Sequence, residues 1–130
     1  METTIVVKEK DIDGLNHVNN SVYLNYLEHA REKWYIEKAG YSYDDFHQAN
    51  LGTMVLKIEI LFKKEAVLHD KLRVITIPKK LGNTSYVFEQ KILNEEDEEI
   101  CSATITKVLT DFTTRKSVKV IDAIARNFKQ

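Results

Sequence analysis

The segment Asp11-Ile12-Asp13-Gly14-Leu15-Asn16-His17-Val18-Asn19-Asn20 holds the densest collection of reactive side chains in the sequence. A carboxylate at Asp13 could activate water or attack a carbonyl carbon, and an imidazole at His17 could orient substrate or share a proton. The segment leads into an amphipathic stretch. A helix starting there would offer free backbone N–H groups and the positive end of its dipole, which together stabilise a developing oxyanion. The same residue types also serve purely local ends, since Asp13, Asn16, Asn19 and Asn20 are loop and capping residues whose side chains bond to nearby backbone. Residue types alone leave both readings open. Metal-based chemistry has no such starting point, because His17, His29, His47 and His69 form no short ligand pattern. Cys101 lies in an alternating apolar stretch, the setting of a buried structural thiol and not of a nucleophile.

The elements that must position these groups are legible in the periodicity. From Asn20 to Ala39, Tyr23, Leu27, Ala30 and Trp34 recur at helical spacing, and Val22, Tyr26 and Ile36 widen the stripe. Asn20 or Ser21 is expected to cap this helix and Gly40 to end it in a left-handed turn. After a short linking segment, Met54 to Phe62 alternates, with Met54, Leu56, Ile58, Ile60 and Phe62 expected on one side. Thr3–Lys8, Leu72–Ile77, Thr84–Asn94 and Ile100–Asp111 supply four further strands, broken by Pro78, Gly82 or acidic residues. The run Glu95–Glu99 reads as a solvated hairpin end, because five adjacent carboxylates repel one another. A short amphipathic tail carries Val120, Ile121, Ile124 and Phe128. The expected architecture is α+β, with an antiparallel sheet wrapped around one long helix in a single domain over residues 1–130. Val87, Leu93, Ile105 and Leu109 are expected on the uncovered sheet face, where a second copy would hide some of them.

Asp11 through Glu28 closely resembles the signature of the 4-hydroxybenzoyl-CoA thioesterase-like hot-dog family, in the pattern D-x-D-x-x-x-H-V-N-N-x-x-Y between a first strand and a long helix. It is also similar to plant acyl-ACP thioesterases, and the resemblance extends over almost the whole chain. It implies a hot-dog dimer, often assembled into tetramers, whose interfacial sites cleave the thioester of a pantetheine-linked acyl group of coenzyme A or acyl carrier protein. By position, Asp13 matches the family carboxylate, as general base or nucleophile. His17, Asn19, Asn20 and Tyr23 match the element beside the thioester. Asn16 stands where many relatives have glycine, and asparagine tolerates the left-handed conformation better than most residues. Phe62-Lys63-Lys64-Glu65-Ala66 resembles the acyl-ACP thioesterase segment whose glutamate positions or activates water, which makes Glu65 a second catalytic candidate. Gly82, Asn83, Thr84 and Ser85 resemble the strand entry that runs beside the pantetheine arm. No cofactor is implied.

A chain of 130 residues with 43% hydrophobic and 30% charged residues is long and apolar enough to bury one core without staples. A formal net charge of -1 supplies no broad field for nucleic acid, and no apolar run reaches the roughly 20 residues that span a bilayer. A lone cysteine and an N-terminus without a long uncharged core point to the cytoplasm. Two rival readings remain at this level: a non-catalytic acyl-CoA or acyl-carrier binding module, and a hot-dog hydratase or dehydratase. The latter usually carries its acid/base pair on or near the helix, which the loop pattern here does not match.

Overall fold

The computed structural model describes residues 1–128. Five strands form one antiparallel sheet: β1 (Glu2–Val6), β2 (Leu51–Phe62), β3 (Lys71–Leu81), β4 (Ser85–Leu93) and β5 (Glu99–Asp111). Their order across the sheet is β1-β3-β4-β5-β2, so β1 and β2 are the edges. The helix α1 (Asn20–Trp34) lies against one face and continues as a π turn over Tyr35–Ala39, which the periodicity did not predict. Gly40 then takes φ 76°, ending the helix as expected. Asn19, not Asn20 or Ser21, is the N-cap: its side-chain oxygen accepts from the Ser21 N–H. The linking segment holds a second helix, α2 (Tyr43–Gln48), whose start is fixed by reciprocal Ser42 and Asp45 bonds.

Alternation on β4 and β5 sets the inner face. Tyr86, Phe88, Gln90 and Ile92 of β4 are buried, as are Cys101, Ala103, Ile105, Lys107 and Leu109 of β5. Ile105 and Leu109 therefore lie under the helices and not on the uncovered face: Phe88 and Ile105 are register partners, and partners share a face. Val87 and Leu93 do lie on the uncovered side, each half-buried. Around α1 the core has two parts. Tyr23, Leu27 and Ala30 pack with Leu72, Val74 and Ile92, whereas Trp34 and Tyr35 pack with Phe88, Val120, Ile124 and Phe128. The tail thus contributes through α3 (Asp122–Ala125).

Two irregularities changed the strand pattern. A bulge between Val55 and Lys57 reverses the phase of β2, so that Val55, Ile58, Ile60 and Phe62 share the inner face while Met54 faces outward. Pro78 does not end β3. It sits at a second register shift, beyond Ile75 where β1 begins, so that side of β3 has no ladder for a missing N–H to break. The acidic turn is solvated as expected, with Glu95–Glu98 exposed, and it carries surface ion pairs from Glu98 and Glu99 to Lys64 and Lys63 and from Asp97 to Arg73.

Candidate active site

Asp13 and His17 face each other across a tight reverse turn. Ile12 bridges Val18, the Asp13 N–H donates to the His17 carbonyl at 3.1 Å, and the Asn16 N–H donates to the Asp13 carbonyl at 3.2 Å. Asn16 closes the turn with φ 68°, the left-handed conformation that asparagine tolerates. The turn is anchored from behind by Asp11, which is buried and accepts from the Tyr26 hydroxyl at 2.8 Å and from the Lys8 N–H at 3.1 Å. Burial and that carboxylate both push the Tyr26 phenol up. The hydroxyl therefore stays protonated and keeps donating.

The second half of the site arrives from the end of β2. Ala66 is held at both main-chain groups: its carbonyl accepts from the Val18 N–H at 2.9 Å and its N–H donates to the Tyr23 hydroxyl at 3.0 Å. His17 bridges Val67 in the same stretch. This clamp brings Glu65 to His17. The histidine Nε2 lies 3.7 Å from Glu65 Oε1, and its Nδ1 lies 4.0 Å from Asp13 Oδ2. Asp13 Oδ1 is committed to the Leu15 N–H at 2.9 Å, leaving Oδ2 toward the imidazole. Lys63 and Lys64 pair with Glu99 and Glu98 at 2.8 Å each, so the neighbouring cations do not compete with His17 for Glu65.

A cavity of about 300 Å³ opens here, lined by His17, Val18, Asn20, Tyr23, Phe62, Lys63, Lys64 and Glu65. Asn20 is the first residue of α1, so the positive end of the helix faces this space. Tyr23 is buried with its ring 5.6 Å from that of Phe62. Asp13 is not among the residues that line this cavity in a single chain, and its carboxylate is 28% exposed beside His17. Asn19 also stands outside it, its side-chain oxygen taken by the Ser21 N–H and hydroxyl. Cys101 is fully buried, and burial pushes its thiol up to about 11. Among the described residues, no three His, Cys, Asp or Glu side chains group as a metal ion would need.

The structure does not bring Gly82, Asn83, Thr84 and Ser85 to this cavity within one chain. They form the β3–β4 turn, separated from the Asp13 loop by the length of β3, roughly 33 Å at about 3.3 Å per residue. Their main chain is largely engaged: the Gly82 N–H donates to the Ser85 carbonyl at 2.7 Å, and the Asn83 and Thr84 carbonyls accept from Val120 and Leu109. A side chain at Gly82 would meet Ser85 Oγ at 2.8 Å. Sequence reading missed Phe62 and the two lysines as cavity walls, because tertiary packing and not local spacing brings the end of β2 beside Tyr23.

Comparisons with known proteins show the family and the fold. A family model described as the thioesterase-like superfamily matches residues 7–128. The long-chain acyl-CoA thioesterase FadM of Escherichia coli (strain K12) is 30% identical over 131 residues, covering 100% of this chain and 98% of that protein. The Escherichia coli protein YbaW superposes with a TM-score of 0.84 at 29% identity, covering 99% of each chain. Slr0204, a 1,4-dihydroxy-2-naphthoyl-CoA thioesterase from Synechocystis, superposes at 0.89 over 97% of this chain and 93% of its own, with 17% identity, which is a likeness of fold. A strand, an Asp-x-Asp loop, a long helix and a meander of strands, matched from residue 7 to residue 128, make this chain a hot-dog-fold member of the thioesterase-like superfamily.

Proposed function

We propose that this chain hydrolyses an acyl thioester of coenzyme A or acyl carrier protein to a free carboxylic acid and a thiol. The observation that carries the reading is a histidine between two carboxylates beside a cavity at a helix N-terminus, in a chain of the thioesterase-like superfamily. The thioester carbonyl lies toward the first turn of α1, where backbone N–H groups and the dipole stabilise the oxyanion. In the general-base route Asp13 takes a proton from water, the water oxygen bonds to the acyl carbon, the C–S bond breaks, and the thiolate leaves and is protonated. In the nucleophilic route an Asp13 oxygen bonds to the acyl carbon, the C–S bond breaks and the thiolate leaves, and water then opens the mixed anhydride to the free acid and the Asp13 carboxylate, its proton passing to the thiolate. Glu65, on the cavity wall, is the alternative activator of water, with His17 linking the two. A fatty acyl-CoA is the first substrate to test, given the likeness to FadM. The chemistry calls on no metal or cofactor.

The working unit is a dimer, or a tetramer built from dimers. β2 is an edge strand with Met54, Val55, Leu56, Leu61 and Phe62 exposed, an apolar edge that soluble proteins cover. If a second copy pairs β2 against β2 in antiparallel fashion, its Leu51 end comes beside Phe62. The Gly82–Ser85 turn lies at that same Leu51 end of the sheet, across β5. The turn of one copy then stands near the Asp13 loop of the other, where it can flank the pantetheine arm. Thiol release from a panel of acyl-CoA and acyl-carrier thioesters tests the reading. Turnover of at least one is the expected result, and none would leave a binding module.

A further inference from the structure

A second cavity, also about 300 Å³, opens between α1, α2, β2 and β5, with Glu28, Tyr43, His47, Thr53, Val55 and Lys107 on its walls. Lys107 is only 3% exposed, and its one hydrogen bond among the described residues goes to the Thr53 carbonyl at 3.2 Å. An ammonium has three donors. Arg31, also 3% exposed, gives one N–H to Gln90 Oε1 at 3.0 Å, while its Nε has no partner among the described residues. No carboxylate lies within 4.0 Å of either cation among the described residues. Glu28, which favours both charges from the cavity rim, is exposed. Two buried cations without a buried counter-ion are costly, and such a pair is kept at a price the core does not need.

This cavity is joined to the catalytic one by an apolar strip. Asn20, Leu24 and Glu28 form an i, i+4 row on α1, beginning at the first cavity and ending at the second. On the inner face of β2, Phe62, Ile60, Ile58 and Val55 run in order from the first cavity to the second, sharing a cavity with Asn20 at one end and with Glu28 at the other. The strip spans about 12 Å along the helix and about 20 Å along the strand. Leu24 and Ile58 are each more than a third exposed, as are Val55 and Phe62, which the proposed β2–β2 pairing places at the subunit interface. A hydrocarbon chain laid along it with its thioester at His17 and Glu65 ends at Lys107.

We propose that Lys107, supported by Arg31, is a specificity residue that receives a carboxylate at the far end of the acyl chain, so that the substrate class includes ω-carboxyacyl thioesters. This rests on the thioesterase reading for the site of hydrolysis, but the carboxylate pocket itself does not. Burial, with Arg31 nearby, pushes the Lys107 ammonium down to about 7, and an incoming carboxylate would restore its charge. Charge-assisted bonds of this kind are about twice as strong as neutral ones.

The test uses free acids first: calorimetric titration of the intact protein with matched pairs, dodecanedioate against dodecanoate and hexadecanedioate against hexadecanoate. The expected result is at least about tenfold tighter binding of the diacid in one pair, abolished in both Lys107→Met and Lys107→Gln. The glutamine variant retains a donor for Thr53 and guards against a loss of packing. The second arm compares kcat/KM for the ω-carboxyacyl-CoA and plain acyl-CoA of the same length, where the same variants should collapse the ratio. Equal affinity for diacid and monoacid in both pairs overturns the proposal, as does a preference that survives both variants. A Lys107-dependent diacid preference without any thioester turnover would keep this pocket and sink the thioesterase reading; turnover of plain acyl-CoA without the preference would do the reverse.

Discussion

His17 stands between a carboxylate at 3.7 Å and another at 4.0 Å, so the division of labour between Glu65 and Asp13 is a question about single residues. Glu65 is 70% exposed on the cavity wall, whereas Asp13 is 28% exposed and held in place by the Leu15 N–H. A carboxylate held by a backbone N–H with one free oxygen suits a base or nucleophile, and a solvent-exposed one suits a positioning role. Glu65→Gln should therefore lower kcat by less than the roughly 100-fold floor typical of a general base; a larger loss than that of the Asp13 amide variant would transfer the role to Glu65. Lys107 makes a prediction of a different kind. Its ordinary value of 10.5 falls to about 7 in the folded chain because burial, then Arg31, disfavours the charge, with Glu28 opposing. Tyr43 and His47 of α2 line the same cavity. The unfolded chain then binds the extra proton between these values, so the penalty is fully present below about pH 7 and fades as pH rises toward 10.5. Lys107→Met should thus raise the melting temperature at pH 7, and the gain should shrink at pH 10. A gain independent of pH would contradict the assigned cause.

At the scale of elements, the Asp13 loop and α1 share one boundary. Asn19 ends the loop and caps the helix through Ser21. Asn19→Ala should cost about 1 kcal/mol of stability and Asn19→Ser should restore most of it, as read from chemical denaturation of the two variants; equal loss in both would show that the cap is not the cause. The boundary also shows what was legible beforehand. The α1 stripe, the αL positions at Asn16 and Gly40, the buried Cys101 and the loop before the helix all follow from local spacing and residue type. The π turn and the β2 bulge did not, because each depends on packing partners distant in sequence, whereas α2 carries a local signal in its Ser42–Asp45 capping box that the reading passed over. The bulge mattered most, since an alternating strand reads the same with or without an extra residue until its partner is known. Lys107 left a trace that reading passed over: it occupies an inward position between Ile105 and Leu109 in the alternation of β5. The misplacement of Ile105 and Leu109 came from the same source, a face assignment made without the register to β4.

For the whole molecule, the open question is how many copies make a site. In the proposed shared site, a second copy covers the apolar edge of β2 and brings the Gly82–Ser85 turn to the Asp13 loop. Sedimentation at micromolar concentration should show no dominant 15.1 kDa species, and a stable, fully active monomer would dismantle the shared site. No helix among the described residues is long and apolar enough to cross a membrane. The most direct test of the account is thiol release from acyl-CoA by the wild-type chain and by Asp13→Asn, each with its unfolding midpoint recorded. The account predicts clear turnover by the wild type and a deficit of about 100- to 10,000-fold in kcat for the folded amide variant. A folded Asp13→Asn protein that turns over its best thioester within about threefold of wild type, well short of that range, would contradict it.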